Sequence, residues 1–246
     1  MDTTDDTIRP PQPGDDVAAN GTDNDKTKDK RDKPDTVGKG PAKLPTTADP
    51  AVAKELQKIL DGAYAEERER VRAMLDDEFF RPQIGLPLDE ARDSILARLE
   101  RLRDTGMPKG VFSEAHGGTG ELGATLTGME LVGHADLGMM VKSGVQWGLF
   151  GGAVEALGSE RHMHLVPRII DLDLLGCFAM TERGHGSDVQ NLETTATYDA
   201  ETDEFVVHSP GLSAEKTYIG NAARHGRMAA VFAQLHTPGS ATNANH

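Results

Sequence analysis

The sequence predicts an α+β fold, with an all-helical N-terminal part followed by the first strands of a β-domain. Three observations predict it. Apolar residues recur at helical spacing between residues 50 and 102, Thr- and Val-rich segments of strand length replace them after Gly176, and the two patterns do not alternate. The divisions that follow are a charged tail over 1–45, a helical domain over 46–175 and a partial β-domain over 176–246.

The tail holds 6 of the 13 prolines and 10 Asp with no aromatic residue, too little apolar surface to offset chain entropy, so disorder is expected there. Order is expected to begin at Asp49-Pro50, where Asp can accept from open amides and Pro suits a first turn. Leu56, Ile59, Leu60 and Ala63 then form one amphipathic stripe, predicted to be buried. A second helix starts near Asp89, aligns Ala91, Ile95, Leu99 and Leu102, and stops at Gly106.

Seventeen of the 27 glycines fall between Gly106 and Gly186. Gly144, Gly148, Gly151 and Gly152 interrupt an apolar segment, VKSGVQWGLFGGAVEALG, of helical length. Each costs about 1 kcal/mol of helix propensity relative to Ala, which is tolerable where backbones pack closely. Gly158 supplies a stop, and EALGSERHMHLVPRII also reads as helix. Beyond it, Cys177 to Met180, Glu193 to Tyr198, Glu204 to His208 and Met228 to Leu235 read as strands, with a turn over 199–203.

Composition excludes several function classes. With 26 Lys plus Arg against 40 Asp plus Glu, the net charge is −14, which disfavours nucleic acid and anionic membranes. No apolar run reaches the roughly 18 residues of a spanning helix. A single cysteine, Cys177, fits a reducing compartment. The N-terminus has no secretory pattern, and NANH matches no peroxisomal or retention signal. A cytoplasmic location is the resulting expectation.

Gly118, Gly120 and Gly123 satisfy G-x-G-x-x-G, but Val111 to His116 is too short and polar for the buried strand a dinucleotide fold needs, and a glycine loop between helices is preferred. His162 and His164 lie about 200° apart on a helix, so no metal site is assigned, and Asp171 and Asp173 meet the same objection. Cys177 has no cationic activator nearby in sequence and reads as a small buried side chain. The richest segment is GCFAMTERGHGSD, Gly176 to Asp188. Its glycines admit close approach of a ligand, and Thr181 and Ser187 offer hydroxyls beside main-chain amides. Such convergent donors suit an anionic or carbonyl-rich ligand, and a capped turn is the alternative.

GCFAMTERGHGSDVQNLETTATYD, with EFVVHSP and KTYIGNAARHGRMAAVFAQL, closely resembles the acyl-CoA oxidases of the acyl-CoA dehydrogenase superfamily. HADLGMMVKSGVQWGLFGGAVEALGSERH resembles their helical domain, and HGGTGELG resembles their inter-helix glycine loop. The resemblance implies FAD as cofactor and desaturation of a fatty acyl-CoA to the trans-2-enoyl-CoA. It implies that Thr181 bonds the flavin ring, that Phe178 to Gly186, including Gly184, wraps it, that Tyr218 packs beside it where many relatives have Trp, and that Gly220 donates from its backbone. Ser187 would lie near flavin or acyl-CoA. Electrons would pass to O2 in an oxidase, or to another flavoprotein in a dehydrogenase; a homodimer is implied for the full-length enzyme.

The same resemblance places the catalytic Glu in a C-terminal helical domain. The sequence stops short of any such domain, so no catalytic residue is assigned, Glu182 is not promoted to the base, and a truncated oxidase is expected. The competing readings are a non-catalytic flavin or acyl-CoA-binding fragment and the NAD-binding domain of the G-x-G-x-x-G pattern.

Overall fold

A computed structural model describes residue 47 and residues 49–238. The expected disordered tail and the C-terminal NANH lie outside the described residues. Asp49 caps α1 (Pro50–Asp61) by accepting from the Ala51 amide at 2.8 Å. The rest of the helical layer is α2 (Ala65–Leu75), α3 (Leu88–Asp104), α4 (Leu122–Ala135), α5 (Leu137–Ser143), α6 (Gly152–Leu157) and α7 (Val166–Ile170). Leu99 and Leu102 of α3 are fully buried, and Gly106 follows at φ 77 as the sequence predicted. The stripe on α1 is not buried: Leu56, Ile59 and Leu60 are 52%, 77% and 68% exposed. Helical spacing fixes which residues share a face, and no described element packs over that face.

Between α5 and α6 the helix widens into a π-helix over Gly144–Gly151. Here it buries Gln146, Trp147 and Phe150. The expected close backbone packing is not what surrounds its glycines: at Gly151 the close approach is by side chains, a Cβ there lying 2.6 Å from Phe112 Cζ, and Gly144 and Gly148 face open space. Gly158 ends α6 as predicted, but the helix expected over the residues that follow it is interrupted. A 3-10 turn over Glu160–Leu165 intervenes before α7, with His162 Nδ1 accepting from the Ser159 amide at 3.0 Å.

Five short strands follow in two sheets. β1 (Gly176–Ala179) pairs in parallel with β4 (Met228–Val231), while β2 (Thr195–Asp199) lies between antiparallel β3 (Glu204–His208) and parallel β5 (Gln234–His236). The single strand expected over Met228–Leu235 is therefore two strands in different sheets, divided at Phe232-Ala233. The Phe232 amide still donates to the Ala179 carbonyl of β1 at 3.2 Å and its ring meets that of Phe178 at 4.8 Å, and beyond Ala233 the chain joins the second sheet. Helices preceding strands give the α+β architecture that the order of sequence patterns predicted.

Gln146 fastens the two layers together. Its amide donates to the carbonyls of Ile169 and Leu174 at 3.2 and 2.9 Å and accepts from the Gly176 amide at 2.9 Å. A buried side-chain amide satisfied on three sides fixes where β1 starts. Gly176 itself sits against Phe150 so closely that a Cβ would overlap the ring at 1.9 Å.

Candidate functional site

β1 ends at Ala179 and delivers Thr181 into a turn whose geometry is set by one buried ion pair. Glu182 is almost fully buried and accepts from the amides of Glu193 at 2.7 Å and Thr194 at 3.0 Å, with the Lys216 ammonium 3.0 Å away. Lys216 also donates to the carbonyls of Met180 and Phe232, at 2.9 and 2.8 Å. Burial by itself raises the Glu182 carboxyl, but hydrogen bonds from Thr194, from the Glu193 amide and from Lys216 outweigh it and hold the group at about 2.

The pair draws together two stretches that are more than 30 residues apart. The Thr217 amide donates to the Thr181 carbonyl at 3.1 Å, and the Arg183 amide to the Glu215 carbonyl at 2.9 Å, so Thr181 lies beside Lys216–Gly220. Tyr218 stands at φ 58 and is 95% exposed. A positive φ is strained for an aromatic residue, and here the strain holds a large apolar ring out in water. Gly220 meets α5 and its π extension so closely that a Cβ would lie 2.9 Å from Val145 Cγ2.

The other residues singled out from the sequence are more dispersed. Phe178 packs on Phe232. The Gly184 amide donates to the Ser213 carbonyl at 2.8 Å, so this glycine serves contact between two loops of the chain. Gly186 and Ser187 are exposed, and among the described residues their amides, with those of Tyr218 and Gly220, donate to no described backbone acceptor. Thr217 Oγ1, next to Tyr218, is buried without a hydrogen-bond partner. Free amides, an exposed ring and a close-approach glycine within one loop pair form a donor set that fits a planar, carbonyl-bearing ligand such as a flavin.

Lys216 is the main residue that sequence reasoning passed over, although it stands in the quoted KTYIG stretch. A Glu in one quoted motif and a Lys of opposite charge in the other were the available signal. Asn221, at φ 67, was also missed. It donates to the Gly176 carbonyl at 2.8 Å and accepts from Lys142, which contacts His225 at 3.0 Å, and His225 contacts Asp93 at 2.9 Å. This network ties the loop after Gly220 to α3. Cys177 does have a neighbouring cation, Lys142, yet burial prevails and pushes the thiol up, away from nucleophilic use.

Beside Gly220 a cleft of about 460 Å3 runs between α3 and α5, lined by Ile95, Leu137, Gly138, Val141, Val145 and Gly220 among others. A larger groove of about 730 Å3 between α6 and β4 touches neither Thr181 nor Tyr218. The Gly118–Gly123 pattern lies in the loop before α4, where a Cβ on Gly118 would meet the Phe112 carbonyl and one on Gly123 the Tyr64 hydroxyl. No described strand precedes it, so it lacks the βαβ setting of a dinucleotide site.

Helices followed by a β-layer, joined at a strand that presents a donor loop, are the arrangement this chain shares with solved acyl-CoA oxidases. Residues 177–245 match the family model described as acyl-CoA dehydrogenase, middle domain. The chain is similar to the acyl-CoA dehydrogenase superfamily, and within it to acyl-CoA oxidases, over their helical N-terminal sequence and part of the middle domain. It is 35% identical over 200 residues to "Acyl-coenzyme A oxidase 3, peroxisomal" of Arabidopsis thaliana, covering 76% of this chain and 29% of that protein. It is 52% identical over 111 residues to "Acyl-coenzyme A oxidase 2, peroxisomal" of the same plant, covering 45% and 16%. The solved structure of acyl-CoA oxidase 3 from Yarrowia lipolytica superposes with a TM-score of 0.64 at 32% identity, over 77% of this chain and 27% of that one. The chain thus spans less than a third of the length of these relatives.

The names of the two plant relatives overturn the cytoplasmic expectation, since both are called peroxisomal. Net charge and a low cysteine count are compatible with any reducing aqueous compartment, so they never distinguished one from another. No helix among the described residues is long and apolar enough to cross a membrane.

Proposed function

We propose that this chain forms the flavin-facing and acyl-facing part of an acyl-CoA oxidase acting in peroxisomal fatty-acid β-oxidation. The observation that carries the reading is Tyr218, an aromatic ring held exposed on a strained backbone between Thr181 and the apolar cleft beside Gly220. FAD would be held by the Tyr218 ring face, by the Thr181 hydroxyl and by the open amides of Gly186, Ser187 and Gly220, with Phe178 and Gly184 shaping the surrounding turn. When bound, it supplies the two-electron sink for desaturation of the thioester, with O2 as the final acceptor. The cleft would take the acyl chain, and Ser187 would lie on the substrate side of the loop. The domain divisions at 45/46 and 175/176 belong to the same proposal.

The family resemblance assigns proton removal to a glutamate of a C-terminal helical domain. Glu182 is unsuited to it. A general base needs a pKa near the working pH and a free oxygen, and Glu182 sits at about 2 with both oxygens engaged. The oxidase reading is preferred to a dehydrogenase because the relatives named above are oxidases.

The test is flavin retention, followed through the visible spectrum during titration with FAD. Binding is expected, weakened up to about tenfold by Tyr218→Ala through loss of ring stacking and weakened also by Thr181→Ala. Absence of flavin bands in the protein fraction after free FAD is removed by gel filtration would remove the flavin site, and tight NAD binding in its place would favour the dinucleotide alternative. Peroxide formation from acyl-CoA by this chain alone would show that it carries its own base.

A further inference from the structure

The cleft beside Gly220 has two differently built ends. At one, the loop carrying Tyr218 and Gly220 lies over Val145, with Gly220 in van der Waals reach of that side chain. At the other, α3 closes onto α5: the Ile95 Cδ1 atom lies 3.0 Å from where a Cβ on Gly138 would sit. Gly138, Val141 and Val145 follow one another at i, i+3 and i+7 and share one helix face. One side of the cleft therefore carries an apolar stripe with the donor loop at its C-terminal end and Ile95 across its N-terminal end, while Arg92, Lys142 and Asn221 line its polar margin.

From this geometry we infer that Ile95, seated over Gly138, sets the acyl chain length the site accepts. The inference rests on the acyl-CoA reading above and adds the substrate class, a medium-length saturated chain. Seven residues of helix at 1.5 Å each give a wall of roughly 10 Å. An extended chain with C–C bonds of about 1.5 Å advances roughly 1.3 Å per carbon, so about eight carbons fill it. Leu137 and Val141, 63% and 54% exposed, are wetted apolar surface that such a chain would cover. A ninth or tenth methylene meets the Ile95 side chain, which is half-buried where α3 approaches Gly138 of α5.

The experiment measures dissociation constants of the full chain, loaded with FAD, for saturated acyl-CoAs from C4 to C16. Affinity is expected to rise up to about fourfold per methylene as far as about C8 and then level off. Ile95→Ala should move that break two or more carbons longer, and Ile95→Phe should move it shorter. Both variants keep an apolar residue at a half-buried helical position, and circular dichroism checks that each is folded. Affinity that climbs steadily to C16, or a break that stays in place in both folded variants, overturns the inference while leaving the acyl-CoA reading intact. Absence of binding at every length overturns that reading and the length limit together.

Discussion

Glu182 shows how much of a binding loop can depend on a side chain that never touches the ligand. Its carboxylate and Lys216 set the separation of the Thr181 and Tyr218 stretches. Removing one member of a buried pair leaves the other uncompensated, so Glu182→Gln or Lys216→Met is expected to cost about 3–5 kcal/mol in urea unfolding. The pH dependence has a definite sign. The folded pKa is depressed from 4.5 to about 2, so this contribution, on the order of 3 kcal/mol, is fully present above pH 4.5 and is lost as pH falls from there towards 2. In Glu182→Gln that acid-side slope should shrink. Thr181 and Gly184 stood out in the sequence because their residue types announce a hydroxyl donor and close approach, whereas Tyr218 and Gly220 were singled out only through the family resemblance. The Glu182 anchor did not stand out, because its partners Glu193, Thr194 and Lys216 come from other segments and no local pattern pairs them.

At the level of elements, the glycines of the π-helix separate by what stands opposite each one. Gly151→Ala would push a methyl group into Phe112 and Ile169 and is expected to destabilise by about 1–3 kcal/mol. Gly148→Ala meets nothing and should raise stability by up to about 1 kcal/mol through helix propensity. Thermal melts of the two variants should therefore shift in opposite directions; equal shifts would contradict the packing described. The existence of this helix was legible in its apolar length. Its widening was not, because a π-turn arises from how Gln146, Trp147 and Phe150 must point to reach α7 and β1. The division of Met228–Leu235 was hidden for a similar reason: a run of strand-forming residues does not record which sheet each part joins.

Across the whole molecule, the order of helices and then strands was readable because each period persists over several turns or residues. The location of the core was only partly readable. The buried cluster centres on Leu99, Leu102, Phe112, Trp147, Phe150 and Ile169, while α1 contributes nothing to it. Amphipathicity identifies a face that could be covered, and the covering partner is information the face does not contain. Ile59→Lys is accordingly expected to change unfolding free energy by no more than about 0.5 kcal/mol, whereas Leu102→Ala should cost about 2–5 kcal/mol. Chemical denaturation of both variants checks the contrast.

The parallel pairing of β1 with β4 also has a kinetic side. Gly176 meets Met228 only after some fifty residues of chain have been made and looped back, a closure that no hairpin can shortcut. The helical layer, rich in local contacts, can assemble while that loop is still open. The donor loop with Thr181 and Tyr218 then takes shape in the last phase of folding, on a surface already prepared by Gln146 and Phe150. A slow recovery of flavin binding that lags the recovery of Trp147 fluorescence would be its signature in refolding experiments.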